Sequence, residues 1–191
     1  MICTDREGLE RFMKEQLKTS RYTHSLGVEK MASELAEIYG QDVEKAAFAG
    51  RYHDIAKCFT PEVMNEYVRS LGLSDEYLDN NALAHSKVAA GILSTKFGVD
   101  DEEVLWAVKS HTTGRAGMSM LEEVVYVADA IEDNRNYPGL KELQELAKKD
   151  IDAACLEIMD FTISRILEKG KTLDRDTIEA REYIVDRIKR R

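Results

Sequence analysis

The chain has 191 residues, 43% of them hydrophobic and 33% charged, with a formal net charge of -9. That length suits one domain with a sizeable core, and the charged share describes a solvated surface rather than disorder. So acidic a chain is not built to hold nucleic acid by bulk attraction to phosphates, although a local basic or metal-bearing pocket can still receive a small phosphorylated ligand.

The first residues, Met1 to Arg6, turn charged at once and do not resemble a signal peptide. No apolar run approaches the ~18 residues that a membrane span needs. Cys3, Cys58 and Cys155 stand far apart with no CxxC pair, so neither a disulfide framework nor a cysteine-type zinc site is expected. The sequence reads as a cytoplasmic protein with reduced thiols and no membrane attachment.

Two prolines leave room for long helices, and helical periodicity runs almost throughout. A first helix is expected after Asp5, carrying Leu9, Phe12, Met13 and Leu17. A second follows Ser20 with Val28, Met31, Leu35 and Ile38, and Gly40 stops it. A third opens at the N-cap Asp42 and runs through His53 and Ile55 toward Lys57. On it, Ala46, Ala47, Ala49 and Gly50 let a neighbouring helix approach closely. Thr60-Pro61 starts a short helix. Another spans about residues 81–97 and ends at Gly98. Asp100 caps the next, which reaches His111. Residues 112–117 read as a loop. Ser119 opens a helix with Glu122 as its capping-box partner. Asn136-Tyr137-Pro138-Gly139 is a turn, and residues 140–191 form two or three further helices. With no repeat or linker, the expectation is one all-α domain over residues 1–191.

The four histidines, His24, His53, His85 and His111, each fall on a predicted helix or at its end. Asp129 sits in the apolar run Val124-Val125-Tyr126-Val127-Ala128, where a carboxylate needs a cationic partner, hydrogen bonds or a metal. Asp54, placed on one face with Ala47 and Gly50, poses the same problem. Singly these residues are ordinary. A helical histidine near Val28 and Met31, such as His24, is more often a hydrogen-bonded core residue than a ligand. Jointly they inform: one helix offers His, the next His-Asp, and a later one Asp. Mixed imidazole and carboxylate donors suit iron, manganese, zinc or a related divalent ion.

The order His24, His53-Asp54, Asp129 resembles the H…HD…D signature of the HD phosphohydrolase superfamily. More closely, five stretches taken together resemble the bacterial HD-domain symmetrical diadenosine tetraphosphatases. They are Arg21-Tyr22-Thr23-His24-Ser25-Leu26-Gly27-Val28, Tyr52-His53-Asp54-Ile55-Ala56-Lys57, His111-Thr112-Thr113-Gly114, Ala128-Asp129-Ala130-Ile131-Glu132 and Arg135-Asn136-Tyr137-Pro138-Gly139. The likeness covers about residues 20–139 and extends more loosely to the C-terminus. It implies an HD-domain helical bundle and hydrolysis of diadenosine tetraphosphate to two ADP, a nucleotide substrate and nucleoside diphosphate products.

On that footing His24, His53, Asp54 and Asp129 form the metal centre, with iron the expected ion and manganese or another divalent ion the alternative. His85 and His111 either complete a second metal site bridged by Asp54, or bind phosphate and assist proton transfer. The phosphate-facing role is preferred, with Lys57 beside them in catalysis. Lys57 would share a helix face with His53 and Asp54, although alone it reads as a solvated helix-end lysine. Arg21 stands three residues before His24, and Arg135 lies in the turn after the Asp129 helix. Their planar forks suit phosphate oxygens, so these three cations make the basic pocket that an acidic protein needs. Thr112, Thr113 and Gly114 could hold phosphate through hydroxyl and N–H groups. Substrate binding therefore falls to Arg21, His24, Lys57, His85, His111, Thr112 and Arg135. Tyr137 could stack on a base, although such a turn aromatic is more often a packing anchor. Other readings are action on a different nucleotide, a nucleotide-sensing module without turnover, and a plain helical interaction domain that leaves the His-Asp pair and Asp129 without partners. Dimerisation through an apolar helical face is compatible with the sequence but not demanded by it.

Overall fold

The computed structural model describes residues 2–3 and 5–191, and among these it contains ten α-helices and no strand. In chain order they are α1 (Arg6–Gln16), α2 (Thr19–Ile38), α3 (Val43–Tyr52), α4 (Pro61–Ser70), α5 (Asn81–Phe97), α6 (Glu102–Ser110), α7 (Met120–Ile131), α8 (Leu140–Ala147), α9 (Ile151–Glu168) and α10 (Arg175–Lys189). A single 3-10 turn, Asp75–Tyr77, bridges α4 and α5.

Local chemistry explains most boundaries. Asp5, Asp42 and Asp150 accept the third-residue amides of α1, α3 and α9 through their carboxylates. Thr60 does the same for α4, with Pro61 at the first helical position. Ser119 and Glu122 close a reciprocal capping box on α7. Gly98 ends α5 in the left-handed conformation.

Helix α7 is the axis of the molecule. Its residues 121–128 are all buried, and α2, α3, α6 and α9 pack around it. The buried hydrophobic side chains form one cluster from Cys3 to Ile184. Helices α2 and α3 approach so closely that a Cβ on Gly50 would lie 3.0 Å from the Val28 carbonyl oxygen and 3.1 Å from Ala32 Cβ. The run of small residues expected to allow such an approach does so, and it brings His24 and His53 together.

Three boundaries differ from the sequence reading. Helix α2 begins at Thr19 rather than after Ser20, with Lys18 at its N-cap. Helix α3 ends at Tyr52 rather than continuing toward Lys57. His53 to Cys58 form a tight turn, with Lys57 N donating to Asp54 O at 2.8 Å. Tyr52, His53, Asp54, Ile55 and Ala56 are all buried in succession, a pattern that no one-sided helix satisfies. Lys57 and Asp54 are thus joined by a turn and not by a helix face. Likewise Asp101, not Asp100, caps α6. Its carboxylate accepts from Val104 N and pairs with Lys45 at 2.8 Å.

Candidate metal centre

All four histidines and both aspartates converge on one point. His24 comes from α2, His53 and Asp54 from the turn after α3, His85 from α5, His111 from the end of α6, and Asp129 from α7. Each imidazole is held from behind. His53 Nδ1 donates to Gly50 O at 2.7 Å, His111 Nδ1 to Val108 O at 2.8 Å, and His85 Nδ1 to Asn81 O at 3.1 Å. His24 Nδ1 meets the Glu132 carboxylate at 3.1 Å. Carbonyl and carboxylate oxygens only accept, so Nδ1 carries the proton and the Nε2 lone pairs face inward. This backing is the usual way that proteins orient imidazole ligands.

The Nε2 atoms crowd around the two aspartates. His24 Nε2 lies 3.0 Å from Asp129 Oδ1, and His53 Nε2 lies 3.5 Å from Asp54 Oδ2 and 3.8 Å from Asp129 Oδ1. His85 and His111 Nε2 lie 3.2 and 3.4 Å from Asp54 Oδ1, and 3.2 Å from each other. Lone pairs and carboxylate oxygens this close repel unless a cation or a proton donor sits among them. His24 Nε2, His53 Nε2 and Asp54 Oδ1 are buried with no hydrogen-bond partner. Orphaned buried acceptors of this kind fit a divalent cation. Ligand atoms of His24, His53 and Asp129 lie close enough together to share one ion, and so do those of His53, Asp54 and His111.

The protonation balance agrees with neutral inward nitrogens at His85 and His111. Burial pushes the His111 imidazole down to about 4, against the pull of Asp54. Burial also lowers His85, with the Lys57 ammonium adding to it. At His53 burial acts the same way, but the Asp54 and Asp129 charges outweigh it and raise the ring. Asp54 would be raised by burial, yet His53, His111 and His85 hold it well below the usual carboxylate range.

Lys57, Arg21 and Arg135 lie around this cluster. Lys57 Nζ donates to His85 Nε2 at 2.9 Å and lies 3.7 Å from Asp54. Arg21 reaches Asp54 Oδ2 at 3.1 Å. Arg135 donates to the Asp129 carbonyl from Nε and Nη2, and to its Oδ1 at 2.6 Å. Thr112 Oγ1 stands 3.0 Å from His85 Nε2 and 3.2 Å from His111 Nε2. Thr113 turns the other way, toward the buried Lys87 ammonium at 3.4 Å, so of the two loop hydroxyls only that of Thr112 faces the histidines.

Three features escaped the sequence reading. Glu132, fully buried, orients His24 and is itself held by Asn134 through backbone and side-chain amides. Gly27 makes room for it, since a Cβ there would lie 2.1 Å from Glu132 Oε2. A cavity of about 380 Å³ opens beside the centre, lined by Lys57, His111, Thr112, Asp129 and Arg135. Leu143 of α8 and Ile158 and Phe161 of α9 line it too.

Fold and centre together define an all-helical protein with a histidine–aspartate cluster in the H…HD…D order. The family model described as "HD domain" matches residues 21–134. The chain is 37% identical over 182 residues to the "Bis(5'-nucleosyl)-tetraphosphatase, symmetrical" of Bacillus subtilis (strain 168), covering 95% of this chain and 98% of that protein. It is 36% identical to the protein of the same name from Staphylococcus aureus (strain NCTC 8325 / PS 47), covering 93% of each. A crystal structure from Clostridium acetobutylicum, described as a "predicted HD superfamily hydrolase involved in NAD metabolism", superposes with a TM-score of 0.90 at 40% identity, covering 95% of this chain and 97% of that one. The chain belongs to the HD domain family and, within it, to the group of symmetrical bis(5'-nucleosyl)-tetraphosphatases.

Proposed function

We propose that this protein hydrolyses diadenosine tetraphosphate symmetrically to two ADP, at a divalent metal centre held by His24, His53, Asp54 and Asp129. The observation that carries the chemistry is the convergence of unpartnered Nε2 and carboxylate atoms, ringed by Arg21, Lys57 and Arg135, beside a ligand-sized cavity. The substrate comes from the two tetraphosphatases that the chain matches over nearly its whole length. A bound divalent ion supplies there a water of lowered pKa and a polarised phosphoryl oxygen. The mixed donor set suits a divalent ion; we take it to be iron, with manganese or another divalent ion the alternative.

The chain's own residues do the rest. Lys57 and Thr112 place an ammonium and a hydroxyl against the polyphosphate, offsetting the charge that builds on its oxygens. Neutral His111 or His85 offers an Nε2 lone pair to take a proton from the attacking water. The new P–O bond forms at one of the two central phosphorus atoms, the bridging P–O bond breaks, and one ADP leaves with its charge beside Lys57 and Arg135. Arg21 and Arg135, at present on Asp54 and Asp129, are close enough to share those carboxylates with substrate oxygens. We place the reaction in the cytoplasm, consistent with three free thiols, and read the chain as one domain.

A second reading, with His111 and His85 on a second ion bridged by Asp54, is favoured by the cluster of His53, Asp54 and His111. Metal analysis of anaerobically purified protein decides, since the first arrangement retains about one ion per chain and the second about two. Asp54→Ala is expected to lose both metal and turnover while its helical circular dichroism stays intact. Normal turnover by that variant would rule out the centre.

A further inference from the structure

Phe161 has the greatest exposure of any large hydrophobic side chain among the described residues, at 62%. It does not lie on bare surface. It stands on α9 and lines the 380 Å³ cavity together with Lys57 and Arg135. Its ring runs nearly parallel to that of Tyr137, with 17° between planes and 6.5 Å between centroids. Tyr137 is fixed in turn, because its hydroxyl donates to the Ala130 carbonyl at 2.9 Å. Leu143 and Ile158 line the same cavity with apolar surface. Exposed aromatic area beside a charged pocket marks a binding surface for a flat, apolar-faced group.

We propose that Tyr137 and Phe161 form the stacking platform for the base of the nucleotide whose phosphates sit at Lys57 and Arg135. The inference rests on the nucleotide reading above and adds to it the residues that recognise the nucleoside. The cavity, about 380 Å³, lies at the small end of the range for ligand sites, about 300–1,000 Å³, a size suited to one nucleoside end. Tyr137, Leu143, Ile158 and Phe161 all lie beyond residue 134, where the HD domain match ends. Metal chemistry and base recognition are therefore divided between two stretches of the chain, and the C-terminal helices set which phosphate compounds are held.

The test is calorimetric binding of ADP and of inorganic pyrophosphate to the metal-loaded full chain. Aromatic stacking on a base corresponds to about a ten- to hundredfold effect on truncation. Phe161→Ala is expected to weaken ADP by that factor while pyrophosphate binds as before, and Phe161→Tyr is expected to restore ADP. The side chain is exposed, so neither variant removes core packing. The platform is overturned if Phe161→Ala binds ADP like the unaltered protein, if ADP and pyrophosphate weaken together, or if the unaltered protein binds ADP no more tightly than pyrophosphate. Product analysis with diadenosine tetraphosphate, run beside it, separates this outcome from failure of the proposed reaction. A protein that binds ADP through Phe161 but does not cleave the substrate keeps the platform and loses the activity.

Discussion

Each histidine in this chain is held at Nδ1 by an oxygen and offers Nε2 to the same small volume. Three of the four partners are backbone carbonyls, which exist at any helix end and cost the sequence nothing visible. The fourth is Glu132, and there the demand on the sequence is greater. Glu132 needs a glycine at position 27 to approach His24, and Asn134 to hold its other oxygen. Orienting partners of metal ligands typically contribute 10–100-fold to affinity. Glu132→Ala is therefore expected to weaken metal binding by about that factor in a chelator competition, with the helical signal retained. Unchanged affinity would show that Glu132 is only a packing residue. In the sequence Glu132 closes the stretch Ala128-Asp129-Ala130-Ile131-Glu132, with nothing that assigns it a role. Nothing local announces that α2 passes over it.

Among the helices, caps and glycine stops were legible because their chemistry is local, as at Asp42, Thr60, Ser119 and Gly98. The turn from His53 to Cys58 was not, because apolar periodicity continued through Ile55 while the backbone tightened. The C-terminal helices hide a further feature. Glu123 on α7 and Asp152 on α9, both buried, form an ionic cluster with the half-buried Arg187 on α10, whose Nη2 lies 2.5 Å from Glu123 Oε1. Burial raises the Glu123 carboxyl to about 7 from its ordinary 4.5, more than Arg187 offsets. The folded state thus binds a proton more tightly than the unfolded chain. Stability contributed by that proton is full below about pH 4.5 and is lost as pH rises through 7, by roughly 1–3 kcal/mol. Glu123→Gln is expected to flatten this dependence and to melt higher than the unaltered protein at pH 8. A lower melting point at pH 8 would mean that the charged pair with Arg187 is net stabilising.

At the scale of the whole molecule, the acidic net charge and the basic pocket are compatible because Arg21, Lys57 and Arg135 are gathered at one place by α2, the turn after α3 and the turn after α7. The sequence carried the residues of the centre in their order, so the convergence could be anticipated from residue type and resemblance. The cavity wall could not, since Leu143, Ile158 and Phe161 look like any amphipathic helix until α8 and α9 fold back toward Arg135. The central phosphoanhydride is the bond that breaks. The most direct test is product analysis after metal-loaded protein meets diadenosine tetraphosphate. ADP as the sole nucleotide product is the predicted result. ATP together with AMP would contradict it.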